Sequence, residues 1–294
     1  MMRIGRTAVI GSILGSLAAA CAPIRIFDAV IPKDGGVVAV ARDVAFGADP
    51  RQRLDVYAPR RAGSASVPVV VFLYGGSWNS GTKGGYGFVG RALAARGFVV
   101  VIPDYRLVPA VRYPIFLQDN AAAVHWVRSH VAALGGDPDR VVLAGHSAGA
   151  YNAAMLAIDP RWLGKDRAAV RGWVGLAGPY DFLPLDEDVT RETFGDAPDL
   201  PATQPGAHVA PGDPPALLVT GDDDTLVRPS NSDTLARQLT AAGVPVERVR
   251  YAGIGHAGLL TAIARPFRRR APVLANMAAF ATRVTAPSVT ASGR

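Results

Sequence analysis

Residues 140–150, Arg-Val-Val-Leu-Ala-Gly-His-Ser-Ala-Gly-Ala, constrain the fold of this chain more than any other segment. Val141, Val142, Leu143 and Ala144 make a short apolar run suited to a strand buried on both faces, and Asp137-Pro138-Asp139 marks a turn ahead of it. Residues 151–158 change to helix-forming types. At the change of period stands Gly145-His146-Ser147-Ala148-Gly149, a Gly-x-Ser-x-Gly sequence. Glycine flanks a serine in this way where a strand turns sharply into a helix and a Cβ would strike neighbouring backbone. The segment reads as a nucleophile elbow.

The rest of the chain repeats this alternation. Strands are expected at 37–42, 54–58, 69–73, 98–102, 141–144, 173–176, 216–220 and 246–251, the later ones as continuous apolar runs. Helices are expected at 88–96, 119–134 and 230–242, each followed by a glycine (Gly97, Gly135, Gly243) able to take the positive φ of a C-cap. Strands alternating with helices predict an α/β fold, a mostly parallel sheet with helices on both faces. At 294 residues and 49% hydrophobic content, one such domain over 37–283 can bury a large core, leaving 284–294 as a disordered tail. Residues 178–215 break the rhythm with eight prolines and several acids, and are expected as a small irregular cap over one end of the sheet.

A serine hydroxyl becomes a useful nucleophile only when an oriented base removes its proton. Five motifs bear on that chemistry: Tyr74-Gly75-Gly76-Ser77-Trp78, Pro103-Asp104-Tyr105-Arg106-Leu107, the elbow, Gly178-Pro179-Tyr180-Asp181 and Gly255-His256. Together they resemble α/β-hydrolase carboxylesterases near the hormone-sensitive-lipase-like esterases, acetyl-xylan or feruloyl esterases and kynurenine formamidases, over roughly residues 40–282. The resemblance implies an α/β-hydrolase fold and the chain order serine, acid, histidine. Asp224 is then the acid, because it stands in the Gly-x-x-Asp-x-x-Val spacing of Gly221 to Val227, with Asp222 and Asp223 as turn-forming neighbours. Downstream of Ser147 only His208 and His256 occur, and His208 precedes the acid in the proline-rich segment, so His256 is the base. The resemblance further implies an oxyanion hole from the backbone of Gly75, Gly76 and Ala148. Trp78, Tyr151, Tyr180 and Phe182 are expected as substrate contacts. Asp104 and Arg106 resemble a buried structural pair, while His125 and His130 are helical and His146 is the variable elbow position. The chain departs from the family at Tyr74, where His is usual in His-Gly-Gly-x-Trp, which leaves the backbone donors but alters the brace of their loop.

The activity implied is hydrolysis of small-molecule carboxylic esters, probed against two rivals: an aryl formamidase or peptidase with the same triad, and a non-catalytic binder of hydrolase fold. Such a triad calls for no cofactor, and no His or Cys cluster has metal-ligand spacing. A formal charge of +7 permits nucleic-acid contact, yet the basic residues are scattered, and the one dense run, 265–270, is broken by Pro266 and expected as a solvated helix end. No nucleic-acid partner is expected.

The first twenty residues carry Arg3 and Arg6, an apolar stretch over 8–20 and no acid, the pattern of an export signal too short to span a bilayer. Leu17-Ala18-Ala19-Ala20-Cys21 resembles a bacterial lipobox, with Ala18 where Leu or Val is preferred. Cys21 is the single cysteine, and lipid attachment there accounts for an otherwise partnerless thiol in an exported protein. Cleavage takes the charge from +7 to +5. A plain secretory peptide cut at the same alanines is the alternative. With Pro23, Pro32, Gly35 and Gly36, residues 22–36 read as a tether between the domain and a lipid anchor in the cell envelope.

Overall fold

In the computed structural model, residues 23–60 and 66–287 are described, and the signal segment, Cys21 and residues 288–294 lie outside them. Eight strands among these residues form one sheet: β1 (Val37–Ala45), β2 (Arg53–Pro59), β3 (Val67–Leu73), β4 (Val99–Pro103), β5 (Gly136–His146), β6 (Val170–Leu176), β7 (Ala216–Gly221) and β8 (Val246–Tyr251). Their order across the sheet is β1-β2-β4-β3-β5-β6-β7-β8. The first two pairings are antiparallel and the other five parallel, and the inner strands β3, β4, β6 and β7 are the apolar runs suited to burial on both faces.

The helices are α1 (23–30), α2 (Gly87–Ala94), α3 (Ile115–His130), α4 (Ala148–Ile158), α5 (Pro160–Leu163), α6 (Asp188–Phe194), α7 (Ser230–Ala241), α8 (His256–Thr261) and α9 (Val273–Val284). Side chains alternate across β3, so Val70 and Phe72 enter one core while Val69, Val71 and Leu73 enter the other. The first core is completed by Phe88 and Val89 of α2 and Val273, Met277 and Phe280 of α9. The second takes Val124 and Val127 of α3 and Leu235 and Leu239 of α7.

This order places the site. From β3 the chain moves outward to β4, then returns through α3 to β5 on the other side of β3. Crossovers diverge at β3, and the crevice outside the carboxyl ends of such neighbouring strands is where an open α/β sheet admits ligands. Gly75-Gly76 follows β3 and Ser147 follows β5.

Three expectations are revised. Residues 23–36 are docked on the domain instead of forming a free tether. Phe27 packs edge-on to Phe88 at 5.2 Å and lies over Phe267 at 6.1 Å, Asp28 accepts the Phe88 N–H at 2.6 Å, and Asp34 pairs with Arg268 at 2.6 Å. The last contact also ties the 265–270 run to the N-terminal segment. Asp137-Pro138-Asp139 falls within β5, as an outward excursion opposite the register shift between Val67 and Val69, because Pro138 has no N–H for the ladder and Asp137 takes the Asp139 N–H itself at 2.9 Å. Helix α3 begins at Ile115, directly after Pro114, and its end tightens into a 3-10 turn over Val131–Leu134 before Gly135 at φ 84°. The 178–215 excursion is irregular apart from α6 and two 3-10 turns, as its prolines require.

The docking of α1 is testable. Phe27→Ala is expected to lower stability to urea by about 1–3 kcal/mol, below the ~3–5 kcal/mol of a fully buried phenylalanine because this ring is only half-buried. A free tether would show no change in the unfolding midpoint.

Candidate active site

Ser147 is the hinge between β5 and α4, with φ 56° and ψ −126°, a conformation costly for a residue with a Cβ. Its environment holds it there. The Ser147 N–H donates to Leu176 O at 2.8 Å, and its own carbonyl takes the Ala150 N–H at 2.9 Å. Backbone packs on backbone around the corner, so a Cβ on Gly149 would stand 2.0 Å from Leu73 O, and one on Gly145 would stand 2.1 Å from Gly149 O. Both flanking glycines are required by contact. Ser147 is 8% exposed at the opening of the crevice.

The loop after β3 is folded against the elbow. A Cβ on Gly75 would lie 2.8 Å from His146 O and 2.9 Å from the Ser147 Cβ. Gly76, Ser77 and Trp78 then follow with φ of 129°, 49° and 58°, three successive residues on the positive side. Gly76 O closes the turn by accepting the Asn79 and Ser80 N–H groups at 3.1 and 2.9 Å, and Trp78 Nε1 donates to Asn152 Oδ1 on α4 at 3.1 Å. Ala148 is the first residue of α4, where helix geometry leaves the N–H without an intrahelical carbonyl and the dipole favours negative charge.

Tyr74 is fully buried in this loop. Arg51 Nη2 donates to its hydroxyl at 3.0 Å and to Gly81 O at 3.0 Å, while Arg51 Nε donates to Tyr105 O at 2.9 Å. Tyr105 stacks on Tyr74 at 4.6 Å and donates its own hydroxyl to Tyr74 O at 2.9 Å. Burial drives the Tyr74 phenol well above its ordinary pKa, so it remains neutral. The loop is therefore braced by an arginine and two stacked rings, at the position where the resemblance implied a histidine.

Asp224 and His256 are brought together. His256 Nδ1–H donates to Asp224 Oδ2 at 2.7 Å, and Asp224 Oδ1 accepts the N–H groups of Leu226 and Val227 at 3.0 and 2.9 Å. The Val227 bond explains the Gly-x-x-Asp-x-x-Val spacing, since residue i+3 returns to cap the acid. Burial raises the Asp224 carboxyl, and the bond from His256 with the two backbone donors outweighs it, leaving the group below its ordinary value. Asp222 and Asp223 donate their N–H groups to Tyr251 O and Ile254 O, which joins the acid turn to the histidine loop. Asp222 also pairs with Arg250.

Other expected residues sit elsewhere. Trp78, Tyr151 and Tyr180 are 2%, 0% and 2% exposed, so they are framework and present no surface to a substrate. Tyr151 donates to Thr203 O at 2.7 Å, and Tyr180 packs against Trp173 within the sheet. The cap enters through α6, whose Phe194 lies 4.9 Å from both Trp78 and Phe182. Arg106 pairs with Asp119, at 2.6 Å, and not with Asp104. Asp104 accepts the Lys83 N–H at 2.7 Å. The reason is reach: Asp119 on α3 also takes the Arg106 N–H and Gln52 Nε2, satisfying both carboxylate oxygens. His125 and His130 are surface residues bonded to Asp166 and to Trp126 O. Arg51, Asn152 and Asp119 carry no local sequence signal for the roles they take here.

Among the described residues no group of three or more His, Cys, Asp or Glu could hold a metal ion.

The BD-FAE family matches this chain over residues 54–239. An isoprenylcysteine alpha-carbonyl methylesterase of Arabidopsis thaliana is 33% identical over 153 residues, 50% of this chain and 36% of that protein. Esterase LipC of Mycobacterium tuberculosis is 36% identical over 151 residues, covering 48% of this chain and 37% of its own length. The chain thus spans about a third of the curated relatives it matches. Among solved structures, esterase B of Lactobacillus rhamnosis aligns with a TM-score of 0.80 at 20% identity, over 94% of this chain and 95% of the other. Esterase rPPE aligns with a TM-score of 0.74 at 26% identity, over 91% and 89%. The sheet order and these alignments make this an α/β-hydrolase fold.

The acid's depressed pKa makes a signed prediction. A lowered carboxylate stabilises the folded state above its unfolded pKa, and that contribution disappears as pH falls through the folded value. Wild type is expected to exceed Asp224→Asn in urea stability at pH 7, with the gap closing below the ordinary Asp value of 3.8 as Asp224 takes up its proton. A gap independent of pH would contradict the assignment of that stabilisation to the ionised carboxylate.

Proposed function

The chain belongs to the BD-FAE family, and from that premise we propose that it is a carboxylesterase-type serine hydrolase acting through Ser147, His256 and Asp224. The observation that carries the reading is the 2.7 Å bond from His256 to a buried, backbone-capped Asp224, on a fold whose elbow holds Ser147 in a strained conformation. A carboxylate on Nδ1–H fixes the imidazole tautomer, leaving Nε2 as the proton acceptor.

In this mechanism Nε2 of His256 takes the Ser147 proton as Oγ attacks the ester carbonyl. The oxyanion is received by the N–H groups of Gly75, Gly76 and Ala148, each donor of this kind being worth about 3–4 kcal/mol of barrier. His256 then protonates the leaving alkoxide, and water repeats the sequence to free the acid and restore Ser147. The reaction needs no cofactor. A short acyl group is favoured because Trp78, Tyr151 and Phe194 are buried against one another and offer a long acyl chain no exposed apolar face. Relatives named as a methylesterase and as a carboxylesterase are in keeping with a carboxylic ester as substrate.

We also place the enzyme in the cell envelope, exported by residues 1–20 and held by lipid on Cys21. The lipobox-like sequence and the lone cysteine support this.

A fluorophosphonate probe is expected to label wild type and not Ser147→Ala, with hydrolysis of p-nitrophenyl acetate falling about 10⁴- to 10⁶-fold in the variant. Absence of labelling in folded wild-type protein would end the serine-hydrolase reading. In a p-nitrophenyl series, kcat/KM should decline beyond butyrate. Cys21→Ser is expected to abolish metabolic labelling by palmitate, and persistent labelling would remove Cys21 as the anchor.

A further inference from the structure

We propose that His146, the residue between Gly145 and the nucleophile, is a positioning residue that holds the base and the oxyanion loop in register with Ser147. The inference rests on the reading of Ser147 and His256 given above.

Three contacts carry it. His146 Nε2–H donates to the backbone carbonyl of His256 at 3.2 Å, across 110 residues of chain. The two rings lie 4.6 Å apart at 45°. On its other side the His146 ring abuts the loop after β3, where a Cβ on Gly75 would stand 3.2 Å from Nδ1. His146 is thus a spacer: its backbone precedes the nucleophile, one ring edge holds the main chain of the base, and the other meets the first glycine of the oxyanion loop. Because Nε2 carries the proton, Nδ1 is a bare acceptor, and it is buried with no hydrogen-bond partner.

A ring so placed must stay neutral. A cation beside His256 would oppose the imidazolium that forms during acyl transfer. Burial, followed by repulsion from His256, lowers the His146 pKa to about 3, well below any working pH. The residue contributes a donor and a shape, not a charge. Small errors in such placement matter, since displacement of a reacting group by about 1 Å can slow a reaction about 100-fold.

Removing the donor should therefore slow turnover with little effect on substrate affinity. His146→Leu is expected to lower kcat on p-nitrophenyl acetate about 10- to 100-fold with KM within about threefold, and to slow fluorophosphonate labelling equally. His146→Gln, whose amide reaches to a similar distance with an N–H, is expected to recover most of the loss. Should His146→Leu fail to fold, His146→Ala supplies the donor-free comparison. The proposal is overturned if the folded donor-free variant stays within twofold of wild type in kcat, or if Gln is as slow as Leu while both melt like wild type. Labelling of wild type separates the two readings: an unlabelled wild type fails the triad, whereas a labelled wild type with an unaffected donor-free variant fails His146 alone.

Discussion

The structure turns on one contact, the seating of the elbow directly on the backbone end of β3. Leu73 O and Tyr74 O occupy the space a Cβ on Gly149 would need, at 2.0 and 2.5 Å. Nothing larger than hydrogen fits between α4 and β3 there. That closeness lets two adjacent parallel strands deliver Ser147 and the backbone of Gly75 to the same few ångströms. It also imposes the positive φ of Ser147, which the bonds to Leu176 O and from Ala150 hold in place. Strain of about 1–3 kcal/mol at such a residue persists only where surrounding structure over-determines it, and here two strands and a helix do so.

Around this contact Asp119, Arg51 and Asp224 each join separate parts of the chain through hydrogen bonds. Asp119 ties α3 to the turn before β2 through Gln52 and to the segment after β4 through Arg106. Arg51 ties that same turn to Tyr74, Gly81 and Tyr105. Asp224 is bound by its own turn and by α8. Each carboxylate is hydrogen-bonded on both oxygens, which is what makes its burial tolerable in place of a loss of several kcal/mol. The sheet supplies position, and these pairs supply orientation.

The parts of this molecule that follow a short sequence period were legible in the sequence, and those set by long-range packing were not. Strand β7 could be located to within a residue because a buried parallel strand is an uninterrupted apolar run bounded by turn residues, and the edge strand β8 because Val246, Val249 and Tyr251 stand among charged residues between two turns. Gly97, Gly135 and Gly243 marked helix ends correctly, all three having positive φ. The pairing of Asp224 with His256 was legible because Asp224 stands in the Gly-x-x-Asp-x-x-Val spacing of the resemblance and His256 is the one histidine downstream of it. By contrast, Tyr151 and Tyr180 read as pocket residues from their nearness to motifs, yet the helix and sheet turn both into the core. Arg106 and Asp104 are two residues apart, and side chains at that spacing share a face without meeting; the partner lay on α3, thirteen residues along. The N-terminal segment looked like a spacer by its prolines and glycines, whereas Phe27 finds a hydrophobic seat between Phe88 and Phe267 that no local pattern could announce.

Tyr74 shows how far a departure from a familiar motif can be accommodated. A histidine at that position can brace its loop through ring nitrogens, at short reach. A tyrosine carries its hydroxyl farther from the backbone, so a donor must come from deeper in the protein, and Arg51 provides one from the turn before β2. Stacking on Tyr105 and Tyr86 then replaces the remaining contacts with apolar area. The guanidinium is a permanent charge and a planar fork, able to hold Tyr74, Gly81 and Tyr105 at once. Tyr74 is thus held from outside its motif, and the backbone of Gly75 meets the elbow. The shape of this loop is a property of three segments together, and with Tyr74 at its head Gly75 still lies against His146 and Ser147.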